Sequence, residues 1–282
     1  MKDILRIGEI RYANCTPIYT TLKRDADCTG YEFVEGEPSK LNALLAAGEV
    51  DVSSSSSIEY ARHADEYLII PDISISSTGE VKSILLFSKY PVEALGGRRV
   101  SVSSASATST VLLKALLRHR YSLEAELVPA PPVLTAMLDG PDAALLIGDE
   151  ALKANLGVVN GQGLFVYDLG AMWQEYTGLP FVYALWMVRG DSAKRMPGLV
   201  SRFKSDILSA KATSAGRYAE IASSSPEREW LGEDGLVSYW NAMSYDLGEA
   251  HIRGLSLFMD MASGLGEAPG GVVLRFLGGV IY

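Results

Sequence analysis

Apolar and polar positions change rhythm repeatedly along the first third of the chain. Residues 4–10 alternate with the two-residue period of a strand, and Asn14 and Pro17 then mark a loop entering a helix. Residues 31–35 read as a second strand. Within residues 39–47, Leu41, Leu44 and Leu45 share one helical face, and Gly48 is the stop. Residues 50–52 form a short strand pattern running into the serines at 53–57, and residues 58–63 are helical again. Residues 68–70 and 82–88 are further strand candidates. A second unit begins near Tyr90. Its strand at 99–102 leads into a second small-polar cluster, Ser103 to Ser109, and a helix is expected over 110–120 with Val111, Leu112, Ala115 and Leu116 inward. A strand at 126–128, a helix at 133–138, an apolar run at 143–147 of the buried-strand type and a strand at 181–188 complete it. The remainder is patterned mostly as helix, at 193–210, 214–223 and 245–263, with Glu233-Asp234-Gly235 as a break.

Strand and helix signals in alternation predict an α/β protein whose sheet is substantially parallel. The strands at 82–88 and 181–188 sit where the chain would pass between two units. The layout therefore predicts a discontinuous first lobe, residues 1–89 with 188–282, and a second lobe, residues 90–187, with hinges near 88–91 and 187–190. From pattern alone, a single doubly wound sheet fits nearly as well.

Composition narrows the function classes. The chain has 282 residues, 48% of them hydrophobic and 21% charged, enough for a packed core in each of two lobes. The formal net charge of -9 argues against a nucleic-acid partner, and it repels anions at long range. An anionic ligand would have to be held at short range, by helix N-termini and backbone amides. The N-terminal residues lack the apolar stretch of a signal peptide, and no run reaches the roughly 18 apolar residues of a membrane span. A soluble cytoplasmic protein is expected. Cys15 and Cys28 are too few for a disulfide framework and have no metal spacing.

The two serine clusters are the most informative candidates. Each is expected at a strand-to-helix junction, outside the carboxyl ends of the strands, where open α/β sheets bind ligands. Helix N-termini there offer free amides and partial positive charge, and hydroxyls add donors without bulk. Ordinary helix capping is the competing explanation for each cluster alone. After the apolar run at 143–147, Asp149-Glu150 can bring a carboxylate to the same region; a helix N-terminal acid pair is the alternative. No nucleotide-binding glycine motif and no G-x-S-x-G elbow is present, and His63, His119 and His251 lie far apart.

Several longer segments go beyond pattern: residues 8–17 (GEIRYANCTP), 51–53, 56–61 (SSIEYA), 71–77 (PDISISS), 81–89 (VKSILLFSK), 104–109 (SASATS), 145–152 (LLIGDEAL) and 177–186 (TGLPFVYALW). In this order they resemble the chorismate dehydratases of the futalosine route to menaquinone, densely from residue 4 to about 190 and more loosely beyond. The resemblance implies a two-lobed fold like the periplasmic binding proteins of type II, with an interlobe cleft, used as a cytoplasmic enzyme. It implies dehydration of chorismate, a small dicarboxylate, to 3-[(1-carboxyvinyl)oxy]benzoate, with no metal or organic cofactor. The family's substrate-contacting asparagine falls on Asn14 and its important serine on Ser83. Ser56, Ser57, Ser106 and Thr108 fall on its substrate-binding turns, with Asp149 nearby. Ser54 and Ser55 stand where the family usually has a proline and a small aliphatic residue, so the backbone of that turn is open to difference. Two rivals remain. In the sister 1,4-dihydroxy-6-naphthoate synthases a histidine precedes the glutamate after the buried strand, where this chain has Asp149. A non-enzymatic solute-binding protein would share the fold.

Overall fold

The computed structural model describes residues 3–103, 107–158 and 163–279. Ten strands lie among them: β1 (Leu5–Ile10), β2 (Tyr31–Gly36), β3 (Val52–Ser56), β4 (Tyr67–Ser77), β5 (Ile84–Ser88), β6 (Arg99–Ser103), β7 (Glu126–Ala130), β8 (Ala143–Ile147), β9 (Phe165–Asp168) and β10 (Phe181–Arg189). They form two five-stranded sheets, in the orders β2-β1-β3-β10-β4 and β7-β6-β8-β5-β9. The plans match. In each sheet the fourth strand runs antiparallel to both its neighbours and the strands beyond it are parallel to one another. That fourth strand is the one contributed from the other half of the chain.

This pairing corrects the expected lobe boundaries. The strand at 84–88 was expected to close the first lobe, but it pairs with β8 and β9 in the second sheet. The strand at 181–189 was expected in the second lobe, but it pairs with β3 and β4 in the first. The chain therefore changes sheet at residues 78–83 and 169–180, one element earlier each time than the hinges expected at 88–91 and 187–190. Both strands are apolar and almost wholly buried, so each reads equally well as the last strand of one unit or an inserted strand of the next.

The serine run differs from expectation in kind. Residues 53–56 are not a turn; they are the body of β3, between β1 and β10. Ser53, Ser54 and Ser55 are buried. Their size suits the site. Gly8 lies opposite Ser53, and Trp186 of β10 lies opposite Ser54. Ser55 Oγ donates to Asn42 Oδ1 at 2.8 Å. A bulky branched strand would not fit between a close-packed glycine and a buried indole.

The helices are where the periodicity puts them for Pro38–Ala47, closed by Gly48 in the left-handed conformation, and for Ala107–Tyr121. The helix expected over 193–210 is two, Gly190–Arg195 and Pro197–Ser214, because Pro197 has no N–H to continue the first. Residues 233–235 begin a helix, Glu233–Ala242, rather than breaking one. No helix among the described residues is long and apolar enough to cross a membrane.

Candidate functional site

A cleft between the two sheets opens where several strands end, and its free volume is about 620 Å³ including the mouth. Its walls come from separate segments: the loop after β1 with Tyr12, Asn14 and Cys15, the end of β3 with Ser56, the crossing segment with Val81 and Ser83, the start of helix Ala107–Tyr121 with Thr108, and Ile147-Gly148 after β8. Of the expected residues, Asn14, Ser56, Ser83 and Thr108 therefore share one cavity.

Two expected residues do not line it. Ser57 is fully buried, donates to the Val182 carbonyl at 2.8 Å and approaches Thr108 Oγ1 at 3.4 Å, so its hydroxyl is spent on the seam between the lobes. Asp149 sits behind the wall. Gly148, with φ of 60°, turns the chain so that the Asp149 carboxylate faces the loop after β1 and accepts the Ala13 N–H at 3.0 Å. It supports the Asn14 loop instead of reaching the cavity. Burial pushes its carboxyl up to about 6, against the opposing pull of the Ala13 N–H. Ser106 lies outside the described residues.

The Asn14 loop is held from three directions. Besides Asp149, Trp240 Nε1 donates to the Ala13 carbonyl at 2.7 Å and Tyr245 donates to the Asn14 carbonyl at 2.7 Å. With its backbone fixed, the Asn14 amide oxygen is buried without a hydrogen-bond partner. A buried acceptor in that state favours any donor brought to it.

Ser83 is also fixed. Its carbonyl accepts the Gly148 N–H at 2.7 Å, and its hydroxyl oxygen accepts the Tyr239 phenolic proton at 2.8 Å. Complete burial raises the Tyr239 phenol far above its ordinary range, so it remains a donor. Cys15 lines the cavity, but burial pushes its thiol up to about 12, and it stays protonated at neutral pH.

No lysine, arginine, histidine or carboxylate is among the described residues lining the cavity. Positive potential comes instead from backbone. Cys15 caps the helix Thr16–Asp25, and Ala107 and Gly148 begin the helices Ala107–Tyr121 and Gly148–Val158, so the N-termini of these three helices border one space. That arrangement suits a small anion bearing more than one carboxylate. Among the described residues no group of three His, Cys, Asp or Glu side chains is placed to hold a metal ion.

Tyr239, Trp240 and Tyr245 were not singled out from the sequence. They are ordinary aromatic positions of a C-terminal helix and the segment after it, and only the tertiary fold brings them under Asn14 and Ser83.

The family model for menaquinone biosynthesis matches residues 5–264. A chorismate dehydratase of Thermus thermophilus is 32% identical over 93% of this chain and 96% of its own length. A 1,4-dihydroxy-6-naphthoate synthase of the same organism is 25% identical over 94% of this chain and 96% of its own. Among solved structures, the alkanesulfonate-binding protein of Xanthomonas axonopodis pv. citri superposes with a TM-score of 0.71 at 13% identity, covering 97% of this chain and 96% of that one. That likeness is of fold alone, and it is the two-lobed periplasmic-binding-protein fold.

Proposed function

This chain belongs to the chorismate dehydratase family of menaquinone biosynthesis, and from that membership we infer that it eliminates water from chorismate to give 3-[(1-carboxyvinyl)oxy]benzoate. The observation that carries the reading from family to site is the shared cavity of Asn14 and Ser83, two residues 69 positions apart in sequence.

Chorismate carries two carboxylates, and the uncharged cleft with three helix N-termini suits them. In the reaction the C3 proton leaves to a base, its electron pair forms the new ring double bond, and the C4–O bond breaks. The departing hydroxide takes up the proton that the base removed from C3 and leaves as water, which regenerates the base. The ring becomes aromatic, so the protein's part is chiefly orientation and shielding. No histidine lines the cleft among the described residues, Asp149 faces the Ala13 amide, and the Cys15 thiol is protonated. That lining is consistent with what the family resemblance implies, that the base is the substrate's own enolpyruvyl carboxylate. Ser83 accepts a hydrogen bond from Tyr239 and donates its own to the departing hydroxyl. Asn14 holds, through its side-chain NH2, the carboxylate that receives the C3 proton. Ser56 and Thr108 anchor the other carboxylate.

The naphthoate-synthase reading is not favoured. Identity to that relative is lower, and Asp149 occupies the place of the expected histidine while facing away from the cavity. The cytoplasmic location implied by the family goes with the dehydratase reading, and cell fractionation tests it.

The direct test is to incubate the purified protein with chorismate and weigh the products by mass spectrometry. Loss of one water with new aromatic absorbance is the expected result. Chorismate that binds and is recovered intact would leave a solute-binding role in its place.

A further inference from the structure

Asp168 is the last residue of β9, just before the chain crosses back to the first sheet, and its carboxylate has more to hold than its position requires. It caps the helix Leu169–Thr177 in the usual way, with Oδ1 accepting the Gly170 and Ala171 N–H groups at 2.8 and 3.1 Å. Capping explains those two contacts only. The same carboxylate accepts the Val81 N–H at 3.0 and 3.1 Å and the Lys82 N–H at 2.6 Å. Val81 and Lys82 lie on the other interlobe crossing. One side chain therefore gathers four amides from both segments that join the lobes.

The surroundings make this a clasp rather than a chance contact. The two crossings touch where Gly170 leaves no room for a side chain: a Cβ there would sit 2.4 Å from the Gly79 carbonyl oxygen and 2.6 Å from the Tyr183 hydroxyl. Lys82 adopts φ of 62°, a left-handed conformation that a lysine takes only when its surroundings impose it. The next residue is Ser83, on the floor of the cleft. We propose that Asp168 is a positioning residue that ties the two interlobe crossings together, imposes the left-handed turn at Lys82 and thereby sets the Ser83 hydroxyl in the cleft. Its catalytic consequence rests on the dehydratase reading above; the clasp itself does not.

The test separates capping from clasping. Asp168→Ser keeps a good helix cap but is too short to reach Val81 and Lys82. With wild-type turnover of chorismate measured alongside, Asp168→Ser should lower kcat about 10- to 100-fold, as expected when a reacting group is displaced by about an ångström, with KM changed by no more than about threefold. Ser83→Ala combined with Asp168→Ser should be no slower than Ser83→Ala alone, because both act through one hydroxyl. Unchanged kcat in Asp168→Ser, or losses that multiply in the double variant, would overturn the proposal. Amide hydrogen exchange reads the clasp without turnover: Val81 and Lys82 should lose protection in Asp168→Ser while the amides at 170–171 keep theirs. Retained protection at Val81 and Lys82 would refute the clasp even if the protein proved inactive on chorismate. Should Asp168→Ser fail to fold, Asp168→Asn serves with the turnover and Lys82 protection as readouts, since its amide presents a donor towards the Lys82 N–H while its oxygen still caps the helix and still reaches the Val81 N–H.

Discussion

Ser83 accepts a hydrogen bond from the Tyr239 phenol, which decides the direction in which its own hydroxyl can donate. Its other neighbour, the Val81 carbonyl at 3.4 Å, is a weak competitor for the serine proton. In Tyr239→Phe the serine oxygen loses its donor inside a fully buried site, and its hydroxyl is free to rotate. We expect kcat to fall about tenfold with KM nearly unchanged. Loss of one buried hydrogen bond, about 1 kcal/mol, should lower the melting temperature by about 2–4 °C. Steady-state kinetics and a thermal melt check both; a variant with wild-type kcat would show that Ser83 does not depend on the phenol. At this scale the sequence was a fair guide to which polar residues reach the cavity, since Asn14, Ser56, Ser83 and Thr108 do. Ser57 and Asp149 are not among the residues lining it, for a common reason. A polar residue beside a strand end has two ways to face, and a left-handed glycine at 148 or a carbonyl at Val182 decides between them only once the fold is assembled.

The element least legible in advance is β3. Serines are poor strand formers and good caps, so five in a row after an apolar residue read as a turn. Tertiary packing overrides that preference: Gly8 on one side and Trp186 on the other call for small residues, of which Ser53 and Ser55 hydrogen-bond locally while the buried Ser54 hydroxyl has no partner among the described residues. The contact is tight, for a Cβ on Gly8 would lie 2.5 Å from Ser53 Oγ. Gly8→Ala should therefore destabilise the fold by about 1–3 kcal/mol through overpacking, seen as a lower denaturation midpoint, and Ser53→Gly in the same chain should recover part of the loss. A Gly8→Ala protein as stable as the parent would mean that β1 and β3 can spread apart. The inserted strands β5 and β10 were found in position but assigned to the wrong sheets. Burial on both faces removes the amphipathic alternation that would have distinguished one neighbour from another.

Across the whole molecule the lobes meet in a closed arrangement. The Ile58 N–H donates to Thr108 Oγ1 at 3.2 Å across the seam, Ala13 is tied to Asp149, and Lys114 of the second lobe is paired with Glu267 beside the first. The first two ties border the cleft, whereas the third is on the surface and outside it. That makes Lys114 a probe of closure that does not touch the ligand. A partly exposed ion pair contributes about 0–1 kcal/mol, so its loss can shift an open–closed equilibrium by up to about fivefold. In Lys114→Ala, KM for chorismate should rise by no more than that factor while kcat holds, and small-angle scattering should show a slightly larger ligand-free particle that contracts when chorismate is added. High salt should produce the same KM in the wild type and nearly nothing further in the variant, because screening already removes the pair. A KM that responds to salt equally in both proteins would assign the salt effect to the anionic substrate at the helix N-termini rather than to the surface tie, leaving closure to the buried contacts along the seam.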